Sequence, residues 1–301
     1  MAAPLPLIHN PAAGGGRGSA RFRQAQALLR VAGILVESRP TRRPRHAAEL
    51  ARELAVEGRG VILVMGGDGT VSEAASGLLA LPAEQRPTLG CLPGGTGNDF
   101  LRDFGILDLA SAVERIRAGN VRAVDAVDVR WDGAGGGRAT SINVVGTGVM
   151  ARAGWRCNRG WKWLGRWGYD ACAVIELLRT GASPTRLVLD GRDASGDHRL
   201  VVCCNSRGTG GAMTMAPDAR PDDGLLDVVT AEGAGRLELL RLLATKLRQG
   251  LHVRHPRVLV RKAARVEIGA SGPSPLLIDG EIMGQAPVRL EVLPRALRVL
   301  A

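Results

Sequence analysis

The stretch Val61-Ile62-Leu63-Val64-Met65-Gly66-Gly67-Asp68-Gly69-Thr70-Val71-Ser72-Glu73 decides the fold. Its first five residues are apolar without alternation, the pattern of a strand covered on both faces. Two glycines then turn the chain, and an apolar periodicity starting at Val71 predicts a helix. A strand feeding a helix through a glycine turn is half of a parallel βαβ unit. The same alternation extends on both sides. Leu5 to Ile8 reads as a strand, followed by the glycine-rich Asn10 to Gly18. Phe22, Ala25, Leu29 and Ala32 then recur at helical spacing, with Ser19 as N-cap. Ile34-Leu35-Val36 gives a second strand, and Ala47, Leu50, Ala51 and Leu54 a second helix ended by Gly58. Leu89-Gly90-Cys91-Leu92 is a fourth strand, leading into Pro93-Gly94-Gly95-Thr96-Gly97-Asn98-Asp99.

Beyond about residue 121 the rhythm changes. Val121 to Arg130, Ser141 to Val145, Arg186 to Leu189, Leu200 to Cys204, Leu226 to Thr230, Val258 to Ile268 and Val288 to Val292 all read as strands. Only Leu164 to Leu178 and Gly235 to Gln249 read as helices between them, and Gly, Asp and Pro clusters separate the strands, as in an antiparallel sheet. The expected architecture is an α/β N-terminal domain with a parallel sheet and Gly-rich loops over 1–122, and a β-rich C-terminal domain over 123–294. The last strand, near 295–301, is a candidate to return to the first domain.

Composition narrows the classes. The 301 residues are 45% hydrophobic and 23% charged, ordinary for a globular chain and against disorder. No apolar run approaches the roughly 20 residues that span a bilayer, and Met1 to Ile8 lacks a signal-peptide pattern. Five irregularly spaced cysteines form neither a disulfide framework nor a CxxC knuckle, so a reducing cytoplasm is expected. A net charge of +11, nearly all from Arg (Lys162, Lys246 and Lys262 are the only lysines), calls for an anionic partner.

Three glycine-rich turns follow strands in the first domain, so all lie at the carboxyl edge of a parallel sheet, where ligands bind. Glycine lets consecutive N–H groups converge on phosphate oxygens, and a following helix N-terminus adds favourable partial charge. No turn has the GxxxxGK[ST] order, which excludes a P-loop kinase, and the GxGxxG spacing fails as well.

These segments resemble a known family. Val64 to Glu73 is similar to the GGDGT signature shared by diacylglycerol and sphingosine kinases and, more distantly, NAD kinases and phosphofructokinases. Leu92 to Arg102 resembles the PxGTxNDFAR segment of the diacylglycerol kinase branch. Asn10-Pro11-Ala12-Ala13-Gly14 resembles its NPxSG loop, with Ala13 where Ser is usual, and Thr41 with His46-Ala47 its T…HA element. Ala216 to Ala219 with Asp223 to Asp227 resembles APxAxxxDGxLD, and Asp279-Gly280-Glu281 the late DGE motif. The matches run in order over nearly the whole chain.

The resemblance implies an ATP-dependent lipid kinase that phosphorylates the hydroxyl of a diacylglycerol-like or sphingoid lipid in an interdomain cleft, with ATP and Mg²⁺ as cofactors. Phosphoryl transfer needs charge neutralisation, alignment and a proton acceptor. Asp68, Asp99 and Glu281 are the implied catalytic residues, against plain turn or helix-capping roles for each. Nucleotide contacts are expected at Asn10, Gly14, Gly15, Thr41, Gly66, Gly67, Thr70, Thr96 and Asn98, the last equally readable as a turn residue. Asp223, with the carbonyls of Arg220 and Leu225, resembles a bracing Mg²⁺ site of bacterial members, against a plain Asp-Gly turn. Asp125 is a strand acid, read as facing either solvent or the cleft.

Nine aromatic residues occur in the chain, and five lie between Trp155 and Tyr169, interleaved with Arg152, Arg156, Arg159, Lys162 and Arg166. Trp suits bilayer interfaces and Arg attracts anionic headgroups. Trp155, Trp161, Trp163 and Trp167 are therefore expected to touch lipid or membrane, with core packing and nucleic-acid binding as alternatives. The strand Val258 to Ile268, carrying Arg261, Lys262 and Arg265, reads as one solvated sheet face. The expected partners are a lipid substrate and an anionic membrane surface rather than nucleic acid, in a cytoplasmic protein peripheral at the inner membrane face. A homodimer is possible. The alternatives are a kinase of a soluble acceptor such as NAD, sharing the GGDGT loop, and a non-catalytic nucleotide-responsive binding protein.

Overall fold

Ile62, Leu63 and Val64 are fully buried, as an unbroken apolar run in a covered strand requires. They belong to β3 (Val61–Gly66) in a computed structural model that describes residues 3–95, 97–132, 135–161, 166–211, 213–272 and 274–301, without the side chains of 166, 167 and 169. The chain divides into two compact units, one of Met1–Asp125 with Pro294–Ala301 and one of Ala126–Leu293.

In the first unit, β1 (Leu5–His9) pairs in parallel with β2 (Val36–Pro40) on one side and with β3 on the other. β3 pairs in parallel with β4 (Thr88–Pro93), and the chain's end joins through the parallel pair Val299 and Leu89. Helices α1 (Gly18–Val31), α2 (His46–Val56) and α3 (Asp68–Leu79) follow the first three strands and bury Ala25, Leu29, Ala47, Ala51, Ala74 and Leu78 completely. α2 and α3 touch backbone to backbone at Gly77, where an added Cβ would strike the carbonyl of Ala48.

Two local expectations shift. The second strand lies at 36–40, because Ile34 N–H closes the exit of α1 onto the carbonyl of Leu29, at 2.8 Å. The N-cap of α1 is Arg17, so Ser19 sits inside the helix. After β4 come a short helix α4 (Asp99–Arg102) and α5 (Leu109–Ala118), a helix the sequence reading passed over. Its start is a capping box in which Asp108 Oδ1 accepts the N–H of Ser111 at 2.8 Å. Asp125 is wholly buried and accepts the N–H of Arg295 at 2.7 Å, so it faces neither solvent nor an open groove.

The second unit is built on antiparallel strands. β5 (Val121–Trp131) pairs with β6 (Gly137–Ser141), and the chain continues through β7 (Val144–Gly148), α6 (Val149–Arg156), α7 (Arg166–Arg179), β8 (Ser183–Leu189) and β9 (Gly196–Cys204). β10 (Leu226–Glu232), α8 (Arg236–Thr245), β11 (Val258–Ala263), β12 (Arg265–Ala270), β13 (Pro275–Ile278), β14 (Glu281–Gln285) and the first part of β15 (Val288–Leu300), whose residues from Pro294 on belong to the first unit, complete it. The stretch expected as one strand over 258–268 is two, β11 pairing with β10 and β12 with β8 and β15.

β7, β9 and β10 form the middle of this unit, and their alternation feeds two cores. Val144, Val202, Cys204 and Val229 face one apolar cluster with α6 and α8 residues. Val145, Val201, Cys203 and Val228 face another, closed by Leu187, Val266, Ile268 and Leu290. A strand buried on both faces is apolar at successive positions. No helix of the described residues is long and apolar enough to cross a membrane.

Candidate active site

Because β1, β3 and β4 are parallel and adjacent, their following loops leave from one edge of the first unit's sheet. His9 pairs with Met65 and Gly66 with Pro93. The loops are tied to one another by backbone. Asn10 N–H donates to the carbonyl of Met65 at 3.1 Å, and the N–H groups of Gly94 and Gly95 donate to that of Gly66 at 2.7 and 3.1 Å. Side chains are excluded between them. A Cβ on Gly94 would lie 2.9 Å from Gly66 Cα, one on Gly67 3.3 Å from Gly95 Cα, and one on Gly14 3.1 Å from the Gly94 carbonyl. Gly14 and Gly15 also hold positive φ of 62° and 71°, which glycine adopts at no steric cost.

Polar side chains fill the junctions. Asn10 donates through Nδ2 to Thr70 Oγ1 at 3.3 Å and accepts the N–H of Ala12 at 2.9 Å. Thr41 continues the edge, its N–H donating to the carbonyl of His9 at 2.8 Å. Asn98, in left-handed conformation, closes its own loop: Oδ1 accepts the N–H of Gly95 and Nδ2 donates to its carbonyl, both at 3.1 Å. Arg21 Nη1 donates to the same carbonyl at 3.1 Å. Thr96 lies outside the described residues.

Asp68 opens α3, and its Oδ1 accepts the N–H of Phe100 at 3.2 Å. That donor lies in the first turn of α4, whose opening residue is the buried Asp99. The two acids thus meet at one helix start, with the glycine loops on the same edge.

Glu281 belongs to the second unit. It is exposed at the first position of β14, opposite Ile278. The acid before it does more structural work than the DGE pattern suggests. Asp279, at φ 46°, accepts four hydrogen bonds: Ser141 Oγ at 2.6 Å and the N–H groups of Ile142, Asn143 and Val144 at 2.9–3.0 Å. Its own N–H donates to the carbonyl of Val144 at 2.9 Å. The donors lie some 135 residues or more away in sequence, so no local spacing announces the clamp.

At Asp223 the structure places a side chain that sequence reasoning left on a solvated face. Lys262 Nζ stands 2.7 Å from Asp223 Oδ2 and 3.3 Å from Asp227 Oδ2, while Asp223 Oδ1 accepts the N–H of Leu225 at 3.2 Å. Arg220 Nε lies 3.5 Å from Asp222. Burial pulls the Lys262 ammonium down, but the hydrogen bond to Asp223 and the charges of Asp227 and Asp223 outweigh it, so its pKa is raised. Burial raises Asp227 beyond what Lys262 offsets. Both oxygens of Asp223 are therefore engaged, and the donor set does not fit a divalent cation as it stands.

Trp155 is 45% exposed and Trp161 39%. The guanidinium of Arg159 lies over the Trp155 ring, 4.5 Å from its centroid. Trp163 lies outside the described residues, as does the side chain of Trp167. Beneath α6 and α8 the same unit holds a half-open apolar pocket of about 100 Å³, lined by Met150, Leu177, Leu200, Met215, Leu239 and Leu242 among others.

Two family models match the chain: the diacylglycerol kinase catalytic domain over residues 4–129, and the YegS C-terminal NAD kinase beta sandwich-like domain over residues 143–301. A diacylglycerol kinase of Mycobacterium tuberculosis is 32% identical over 98% of this chain and 94% of its own. One of Bacillus subtilis is 28% identical, over 98% of this chain and 95% of its own. A crystal structure of a diacylglycerol kinase from Bacillus anthracis superposes with a TM-score of 0.79 at 28% identity, covering 99% of this chain and 96% of that one. The chain belongs to the diacylglycerol kinase-like lipid kinases, an α/β domain with a parallel sheet followed by a β-rich domain.

Proposed function

We propose that the protein transfers the γ-phosphoryl group of ATP to the hydroxyl of a diacylglycerol-like or sphingoid lipid. The observation that carries this reading is the junction of the three glycine loops, packed backbone on backbone with Asp68 fixed beside them by Phe100 N–H. Such a junction offers main-chain N–H groups and the hydroxyl of Thr70 to phosphate oxygens, with the Asn10 amide bonded to that hydroxyl. Charge in phosphoryl transfer is spread over the transferred oxygens, so fixed donors and alignment supply most of the catalysis.

Asp68 and Asp99 provide hard oxygen donors that suit Mg²⁺. Among the described residues no three His, Cys, Asp or Glu side chains group closely enough to hold a metal ion alone, so nucleotide phosphates would complete the shell. When bound, the ion would neutralise charge on the transferring phosphates. Asp68 and Glu281 are the residues of this chain proposed to accept or relay the hydroxyl proton.

The apolar cavity supports an acceptor with a hydrocarbon chain over a soluble one such as NAD, since its lining is almost wholly aliphatic. Exposed Trp155 and Trp161 with the exposed Arg152 and Arg159 support contact with an anionic bilayer, where each nearby Arg adds about 1 kcal/mol, whereas Arg156 is paired with Glu176.

Purified protein incubated with a total lipid extract, Mg²⁺ and labelled ATP should yield a phosphorylated lipid identified by mass. Asp68→Asn should lower turnover by at least about a hundredfold, with little change in melting, because the Asn Oδ1 can still accept Phe100 N–H. Wild-type turnover in that variant would remove Asp68 from the chemistry, and phosphorylation of NAD with no lipid product would replace the acceptor. Binding to anionic vesicles should fall in Trp155→Ala/Trp161→Ala; unchanged sedimentation would defeat the membrane assignment.

A further inference from the structure

The corner formed by Asp223, Asp227 and Lys262 lies in the second unit and takes no part in the proposed kinase chemistry. β10 and β11 pair antiparallel through six successive partners, from Leu226 opposite Ala263 to Ala231 opposite Val258, and Lys262 stands directly opposite Asp227. Side chains of directly paired residues reach one another without further adjustment. Asp223 sits four residues before Asp227, in a turn closed by its own acceptance of Leu225 N–H. The ammonium therefore meets two carboxylates whose positions the sheet and the turn have already set.

The burial of the three groups is unequal. The Asp227 side chain is 3% exposed, Asp223 20% and Lys262 39%. A nearly buried carboxylate needs a counter-charge, because an uncompensated buried charge is strongly destabilising. Asp222 adds a third acid next in sequence to Asp223, and Arg220 pairs with it at 3.5 Å. Lys262 is thus the cation that directly balances Asp223 and Asp227.

A divalent cation at Asp223 would have to displace this ammonium from Oδ2 at 2.7 Å or accept a like charge at contact distance. Displacement competes against a group tethered to the neighbouring strand, whose effective concentration far exceeds that of free ions. We infer that Lys262 is the resident cation of this corner, holding Asp223 and Asp227 where the sequence resemblance implies Mg²⁺, so that the second unit is independent of divalent cations for its stability.

The test is thermal unfolding of the full chain, without nucleotide, in excess EDTA or in millimolar MgCl₂ at matched ionic strength. Wild type, Lys262→Met, Lys262→Arg and Asp223→Asn are compared. The expected result is that any rise in melting temperature that Mg²⁺ gives the wild type is equally present in Asp223→Asn, because it arises elsewhere. Lys262→Met should melt several degrees lower in EDTA, and Lys262→Arg, which keeps the charge, should stay close to wild type. A Mg²⁺-induced rise in the wild type that disappears in Asp223→Asn would overturn the inference, as would Lys262→Met melting like wild type in EDTA. If Lys262→Met fails to fold, the wild-type, Lys262→Arg and Asp223→Asn comparison still decides.

Discussion

Replacing Gly94 with Ala tests whether the glycine loops are packed as the structure shows. The added methyl would lie 2.9 Å from Gly66 Cα, 3.0 Å from its N and 3.3 Å from its carbonyl carbon, where ordinary contact begins near 3.4 Å. All three are backbone atoms of a strand end that Gly94 and Gly95 themselves hydrogen-bond, so no side chain can swing aside. The loops must part by about half an ångström, straining the 2.7 Å bond from Gly94 N–H to the Gly66 carbonyl. Overpacking of this kind costs roughly 1–3 kcal/mol, or about 2–5 °C in melting temperature for a chain of this size. Because the displaced backbone carries the proposed phosphate donors, turnover should fall about ten- to a hundredfold. Gly69→Ala is the control, since a Cβ there meets nothing within 4 Å and the residue is helical. It should melt at or slightly above the wild-type temperature. Differential scanning calorimetry and a lipid phosphorylation assay on both variants give the answer. A Gly94→Ala protein that melts and turns over like wild type would refute the backbone-on-backbone junction.

Asp279→Asn should destabilise the second unit by about 1–3 kcal/mol, because the amide places a donor where the carboxylate accepted from Ile142 N–H; denaturant unfolding measures it, and an unchanged midpoint would contradict the clamp. Burial lowers the pKa of His252, which shares a 3.0 Å hydrogen bond with the carbonyl of Met215, and of His9. The unfolded chain therefore binds more protons than the folded one, and stability should decline as pH falls below about 6.5. His252→Gln, which can still donate to Met215 but does not titrate, should flatten that decline; an equally steep one would exclude His252 as a source. Burial pushes the thiols of Cys91 and Cys203 up to about 12, so neither should be alkylated by iodoacetamide at pH 8 until the chain unfolds, as mass spectrometry would show.

The parts of this molecule that were legible in the sequence are those where one residue type alone can satisfy the backbone. Gly94 and Gly95 are such positions, since any side chain would enter a neighbouring main chain, and Gly66 is another, since its Cβ would strike the Thr70 side chain. The run Val61 to Met65 is another, because strands buried on both faces admit few polar residues. β2 was misplaced for the complementary reason. Among the described residues it pairs only with β1, at the sheet edge, so Glu37, Ser38 and Arg39 are tolerated and the apolar Ile34 is spent on closing α1. α5 carried a readable signal in Asp108 and Ser111, the capping pair before Leu109, Ala112, Val113 and Ile116.

Asp279 and Lys262 carried no local signal. Their partners are brought by the fold across long sequence separations, 135 residues from Asp279 to Val144 and 39 from Lys262 to Asp223. Both were hidden by a local pattern that reads adequately without them: an Asp-Gly turn in one case and an alternating cationic strand in the other. A motif therefore identifies the residue types that a turn or a phosphate demands, but the charge partner of each acid is decided by strand register. In β10 and β11 a slip of one residue would move Lys262 to the opposite face of the strand and put Arg261 or Ala263 opposite Asp227 in its place. The same register that seats Val228 and Val229 in two cores thus also sets the electrostatics of the corner.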